Sequence, residues 1–166
     1  MSETALRRAK RPRSIIAGPY GHPFHAILIT IPIGGWTSSV IFDIVALTTG
    51  DDAFVTGALW LIAIGTLGGI VAAAVGFFDW SVLEKGTKAR KTATLHMILN
   101  LGAIALFTIS FFVRLGAGTD DFSVAGFVLS LIGIAAVGAS GFLGGELAYR
   151  HGVRVADEST QLKAFE

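Results

Sequence analysis

AFVTGALWLIAIGTLGGIVAAAVGFF, residues 53–78, runs for 26 positions without a single charged side chain. A helix needs about 20 predominantly apolar residues to cross the hydrocarbon of a bilayer. The stretch lacks the period-two alternation of a membrane barrel strand. It therefore predicts a spanning helix, and working outward from it finds three more: about 24–48, 93–115 and 122–149. Each run is bounded by turn or charge signals, at Gly50-Asp51-Asp52, between Asp79 and Lys91, and at Gly116 to Asp121. Short connections make successive helices neighbours running in opposite directions. The expected fold is an all-α integral membrane protein, an antiparallel four-helix transmembrane bundle. Its expected organisation is a basic tail (1–20), the four-helix domain (21–153) and a polar, loose tail (154–166). No repeat between the two halves stands out.

Composition agrees. Of 166 residues, 52% are hydrophobic and 15% charged, with a mean hydropathy of +0.67; soluble domains carry about 25% charged residues, so much of this surface faces something other than water. The chain contains no cysteine, which excludes disulfides, thiolate ligands and cysteine nucleophiles. It also shows no P-loop, His-Glu-x-x-His or Gly-x-Ser-x-Gly signature. Small residues are abundant and fall four apart, as in Gly65-Gly69-Ala73 and Gly141-Gly145, a pattern that lets helices approach closely within one chain or between copies.

Charge sets the expected orientation. Twelve of the 13 Lys and Arg residues fall in 1–23, 79–92 and 150–166, and only Arg114 falls on the other side, with Asp51, Asp52, Asp120 and Asp121. The positive-inside rule then places both termini in the cytoplasm. Tyr20, Trp80 and Tyr149 fall at that boundary, where amphipathic rings settle. The start (Arg7, Arg8, Lys10, Arg11, Arg13) is read as topology signal and anionic-lipid contact rather than a nucleic-acid site. The apolar run behind it is too long for a signal peptide.

Ionisable groups in lipid are costly, and each one is a site candidate. His22, His25, Asp79, His96, Asn100, Glu146 and His151 all fall toward the basic end, on all four helices. Helical spacing puts His25, Trp36, Ser39 and Asp43 on one stripe, Asp79, Gly76, Ala72, Gly69 and Gly65 on a second, and His96, Asn100 and Phe107 on a third. Glu146, Phe142 and Ala139 form the fourth. Three readings are open: a cofactor or metal site, a structural hydrogen-bond network, or proton or solute passage. Haem b would take two imidazoles, His25 and His96, with His22 and Asn100 near. A non-haem metal would draw on His25, His96, Asp79, Glu146 and His151. Asp43 and Arg114, near the opposite boundary, are expected to form a structural ion pair. Pro32 is expected to disturb the first span.

The motifs Gly-His-Pro-Phe-His-Ala (21–26), Ile-Pro-Ile-Gly (31–34), Gly-Phe-Phe-Asp-Trp (76–80), His96 with Asn100, and Gly-Gly-Glu-Leu-Ala-Tyr-Arg-His-Gly-Val (144–153) resemble one bacterial family of four-helix membrane proteins, domain of unknown function 2231. The resemblance covers about residues 20 to 155. It implies a stand-alone four-helix domain in a bacterial inner membrane. Some relatives of this kind carry a Rieske iron–sulfur domain, which implies electron transfer; this cysteine-free chain would need its own cofactor or a separate redox partner. The resemblance brings no catalytic residue, only motif positions. The expectation is a protein that is not an enzyme by itself. It would be a haem- or metal-binding electron-transfer protein, or else a scaffold or accessory subunit of a larger membrane complex.

Overall fold

Three of the four long helices start on a side-chain cap. Asp51 accepts from Ala53 N (2.9 Å), Thr87 from Arg90 N (3.2 Å) and Ser123 from Gly126 N (3.1 Å), each satisfying a main-chain donor that the first turn leaves free. In the computed structural model, residues 3–12, 14–15, 17–18 and 21–166 are described; Arg13 of the basic tail and the boundary residue Tyr20 lie outside them. The order is α1 (Glu3–Lys10), α2 (Phe24–Leu28), α3 (Thr30–Thr49), α4 (Asp52–Ser81), α5 (Lys88–Ala117), α6 (Val124–Gly145), a π-helical turn (Glu146–Arg150), α7 (Glu158–Leu162) and a 3-10 turn (Lys163–Phe165). No strand occurs among the described residues. Four stretches are long and apolar enough to cross a membrane: Phe24–Thr49, Asp52–Ser81, Lys88–Ala117 and Val124–Arg150.

The first span is two helices, α2 and α3, broken at Ile29. Pro32 has no N–H, and its ring crowds the carbonyl four residues back, which is that of Leu28, the last residue of α2. Thr30 Oγ1 donates to Ile27 O (2.8 Å) at the break. The third span begins five residues before its apolar run, because the Thr87 cap lets Lys88, Arg90 and Lys91 occupy the first turn. Arg90 lies 3.5 Å over the Trp80 ring and donates to Trp80 O (2.7 Å) and Leu83 O (2.9 Å), closing the end of α4.

Along each hairpin the contacts run in opposite chain order. On α2–α4, His25 meets Ala72 and Gly76, Trp36 meets Gly65, and Phe42 meets Gly57. On α5–α6, His96 meets Ser140 and Gly144, Phe107 meets Gly133, and Arg114 meets Gly126. The small residues of α4 and α6 thus receive the large residues of the neighbouring helix. Outward-facing side chains such as Trp60, Leu67, Ile98, Phe112 and Phe142 are exposed and apolar, as a surface in contact with lipid tails requires.

The hairpins pack with α4 on α5 and α3 on α6, and across the core between them side chains of the first and third spans meet. His25 faces His96, Trp36 stacks on Phe107, and Asp43 pairs with Arg114. Each partner lies 71 positions after the first (25 and 96, 36 and 107, 43 and 114). The receiving glycines keep a step of 68: Gly65 and Gly133 under the Trp36–Phe107 stack, Gly76 and Gly144 under the imidazoles. The same step of 68 joins Gly86 and Arg154, both at positive φ (81° and 59°) in the chain after each hairpin.

The terminal segments fold back on the basic end. Ala9 of α1 is buried against Leu83, Ala93 and Leu147, and Ala9 O accepts from Arg154 N (3.0 Å). Residues 154–166 differ from the loose tail that their polarity predicts: Asp157 caps α7 through Thr160 N (2.8 Å), and Glu158 pairs with Lys10 (3.3 Å).

Candidate functional site

The basic half of the bundle holds a half-open cavity of about 380 Å³, and four sequence-predicted residues line it: His25, Asp79, His96 and Asn100. Its wall is otherwise mostly apolar, with Trp36 at one end and Trp80 at the other. Volume and lining fall in the range of small-molecule sites, roughly 300–1,000 Å³ with a few placed polar groups.

Both imidazoles are held the same way. His25 Nδ1 donates to Ala72 O at 2.8 Å, and the ring covers Gly76, where a Cβ would come within 2.9 Å of it. His96 Nδ1 lies 2.9 Å from Ser140 O, and its ring covers Gly144, where a Cβ would come within 3.2 Å. A carbonyl oxygen can only accept, so in His25 Nδ1 carries the proton and Nε2 keeps its lone pair; His96 Nδ1 also lies 2.9 Å from Ser140 Oγ, and the same tautomer is the one that satisfies Ser140 O. Asn100 agrees, presenting its amide Nδ2 3.1 Å from His96 Nε2 while also donating to Ser140 Oγ (2.6 Å) and His96 O (2.9 Å). The ring centres are 6.2 Å apart, with planes at 84°.

The remaining candidates are elsewhere. His22 is exposed; its carbonyl, not its ring, accepts from Arg154 Nη2 (2.9 Å). Glu146 and His151 do not line the cavity. Glu146 pairs with Arg150 one turn on (3.1 Å), and the fourth-span stripe drawn through it points outward, with Phe142 75% exposed. The inner face of α6 is instead Gly126, Ser130, Gly133 and Ser140. A carboxylate at a helix end can reach an interfacial arginine, which removes the reason to turn it inward. The non-haem metal set of His25, His96, Asp79, Glu146 and His151 is therefore corrected: no three His, Asp or Glu side chains among the described residues converge as a metal site. Asp79 is engaged by Arg154, whose Nε lies 3.2 Å from Oδ1, close enough for charge pairing but not aligned as a hydrogen bond.

Arg154 is the participant that sequence reading missed. It lines the cavity, its side chain is 8% exposed, and it adopts a left-handed backbone that glycine takes at the corresponding Gly86. Such a conformation in a residue with a Cβ costs about 1–3 kcal/mol. Its one sequence signal was the basic charge that the topology argument had already used.

At the far end, Arg114 grips Asp43 with two parallel hydrogen bonds of 2.7 Å each. The side chains are 3% and 0% exposed. Arg114 Nε also donates to Ser110 Oγ (3.2 Å) and Nη2 to Ser130 Oγ (3.4 Å), and both hydroxyls donate on to Gly126 O. Gly126 is required here, since a Cβ would lie 2.7 Å from Arg114 Cγ. The pair bridges the two hairpins at this end of the bundle.

No curated protein and no solved structure matches the chain. Residues 21–157, which take in all four spans and the cavity, match the family described as "Predicted membrane protein (DUF2231)". The chain is a membrane protein of the DUF2231 family.

Proposed function

We propose that this membrane protein is a haem b carrier in which His25 and His96, one from each hairpin, would hold the iron, the haem supplying one-electron exchange with a redox partner. The observation that carries the reading is the matched pair of imidazoles. Each has Nδ1 fixed on a main-chain carbonyl and Nε2 left as a lone pair at the same cavity. Metal-bound histidines are held in this way, the hydrogen bond fixing tautomer and ring orientation. Haem needs only two protein ligands, because the porphyrin supplies four, so it does not require the third side chain that a bare ion would. The two rings, one from each hairpin, lie with centres 6.2 Å apart, near enough for both to serve one group. Glycine and alanine at 69, 72, 73, 76 and 141 keep the wall flat. Asn100 would give up one of its three contacts and retain Ser140 Oγ and His96 O.

The test is optical. Purified protein titrated with haemin should show a sharpened, shifted Soret band and, on reduction, the narrow visible bands of a low-spin bis-imidazole haem. His25→Ala and His96→Ala should each abolish the low-spin form, and Asn100→Leu should keep it. A spectrum equal to protein plus free haemin would end the proposal.

We place the basic end, with both termini, in the cytoplasm of a bacterial inner membrane. What supports this is the lysine and arginine distribution, 12 of 13 on one side. The cavity then lies toward that side, within reach of a cytoplasmic or peripheral redox partner.

A further inference from the structure

We infer that the two hairpins are copies of one unit, and that Asp43 and Arg114 form a charge code that makes each hairpin's inner face accept the other and reject its own kind. The inference goes beyond the haem reading and stands whether or not haem binds.

The repeat has both a geometric and a sequence side. At the step of 71, His-Ala-Ile-Leu (25–28) overlies His-Met-Ile-Leu (96–99), Thr37 overlies Thr108, and Ser39 overlies Ser110. At the step of 68, Asp52 and Phe54 overlie Asp120 and Phe122, and Ile64-Gly65 overlies Ile132-Gly133. Corresponding residues also meet one another at three levels: imidazole to imidazole, stacked ring to stacked ring (4.4 Å, 4°), and carboxylate to guanidinium. A residue meets its own counterpart only near a two-fold axis, here one running along the bundle between the first and third spans. Parallel repeats related by an axis along the membrane normal are a known way to build membrane proteins.

Such an axis has a consequence for recognition. A hairpin that paired with a copy of itself by this geometry would set residue 43 against residue 43, or 114 against 114. That would bury two carboxylates or two guanidiniums face to face, where opposite charges now sit almost wholly shielded. Like-charge juxtaposition is a general means of excluding wrong partners. The surroundings are adapted to one arrangement. Gly126 makes room for the Arg114 stem where the first hairpin has Ala58, and Ser130 accepts from Arg114 where the first hairpin has Ile62. The partner that fits each inner face is therefore a hairpin of opposite charge: the chain's own other half, or the opposite half of a second copy.

The test uses full-length chains with separate tags, purified in mild detergent. Asp43→Arg alone and Arg114→Asp alone should each lower the yield of folded monomer at least tenfold, and Asp43→Arg should fall at least tenfold below Asp43→Asn, which unpairs the arginine without opposing it. Co-expression of the Asp43→Arg chain with the Arg114→Asp chain should raise both at least tenfold over either alone, as a 1:1 complex below wild-type yield, because every hairpin then finds an opposite charge on the other chain, one pair in the native sense and one reversed. That rescue cannot arise from generic misfolding. Absence of rescue, or Asp43→Arg no worse than Asp43→Asn, overturns the inference.

Discussion

Replacing Gly133 by alanine adds one methyl group at a place that has no room for it. An ideal Cβ there lies 2.6 Å from Phe107 Cε2 and 3.0 Å from Cδ2, whereas carbons in good contact sit about 3.5–4.0 Å apart. The deficit of about 1 Å cannot be met by turning the ring aside. Phe107 is fully buried and stacked at 4.4 Å on Trp36. Behind Trp36 is Gly65, where a Cβ would come within 2.7 Å of the indole. The stack is held between two glycines, and the extra methyl must push the hairpins apart or drive a ring off its rotamer. Overpacking of this kind costs about 1–3 kcal/mol, which at 1.4 kcal/mol per decade is about a 5- to 150-fold loss in the folded-to-unfolded ratio. The assay is reversible unfolding in mixed micelles, with Gly138→Ala as control because nothing lies within 4 Å of a Cβ there. Phe107→Leu should relieve Gly133→Ala, giving a double-mutant coupling of about 1 kcal/mol or more. Gly133→Ala as stable as Gly138→Ala would refute the clamp.

Other outcomes follow from the same geometry. Asp43→Asn strands the Arg114 guanidinium in a buried site, and loss of one partner of such a pair costs about 3–5 kcal/mol; unfolding that is unchanged in Asp43→Asn would count against the pair as a bridge between the hairpins. The Asp157 carboxyl is held down to about 2 by hydrogen bonds from Thr160 N and Ser159 Oγ. Because its folded value is depressed, its contribution to α7 is present above the ordinary aspartate value of about 3.9 and is lost as pH falls toward 2. Amide exchange of residues 158–162 should accelerate only at that acid extreme, and a titration midpoint near 3.9 would contradict the cap. The chain has no cysteine, so single cysteines report topology directly: Asp120→Cys should react with an impermeant thiol reagent from outside intact cells and Lys85→Cys should not. The reverse pattern would invert the proposed orientation.

The four spans were legible because hydrocarbon imposes a length and an apolar composition that no local context overrides. Residues 53–78 announce themselves, and the observed helix adds only Asp52 at its start and Asp79 to Ser81 at its end. The inner stripes of the first three spans were legible for a related reason: Trp36, Asp43, Asp79 and Phe107 are residues with something to gain from a protein neighbour. The fourth was misread through Glu146, because a charge near a helix end can find an interfacial partner and need not face inward. The break at Ile29 was foreshadowed by Pro32, but the π-helical turn at Glu146–Arg150 left no mark in periodicity. The correspondence between the hairpins is hard to read in the sequence because lipid-facing positions accept any apolar residue. At residues 43 and 114 the match is by complementarity, and comparison by similarity scores aspartate against arginine as a mismatch. Arg154 was illegible for another reason: nothing in the letters says that an arginine will stand where its counterpart is a glycine.

The Asp43–Arg114 pair also bears on how the protein is made. The first hairpin leaves the ribosome and enters the bilayer carrying an acid whose counter-ion has not yet been translated; 71 residues separate the two. Until then the nascent half carries an acidic group without the guanidinium that will enclose it. A first hairpin made alone would keep that acid unpaired, and only synthesis through Arg114 covers it.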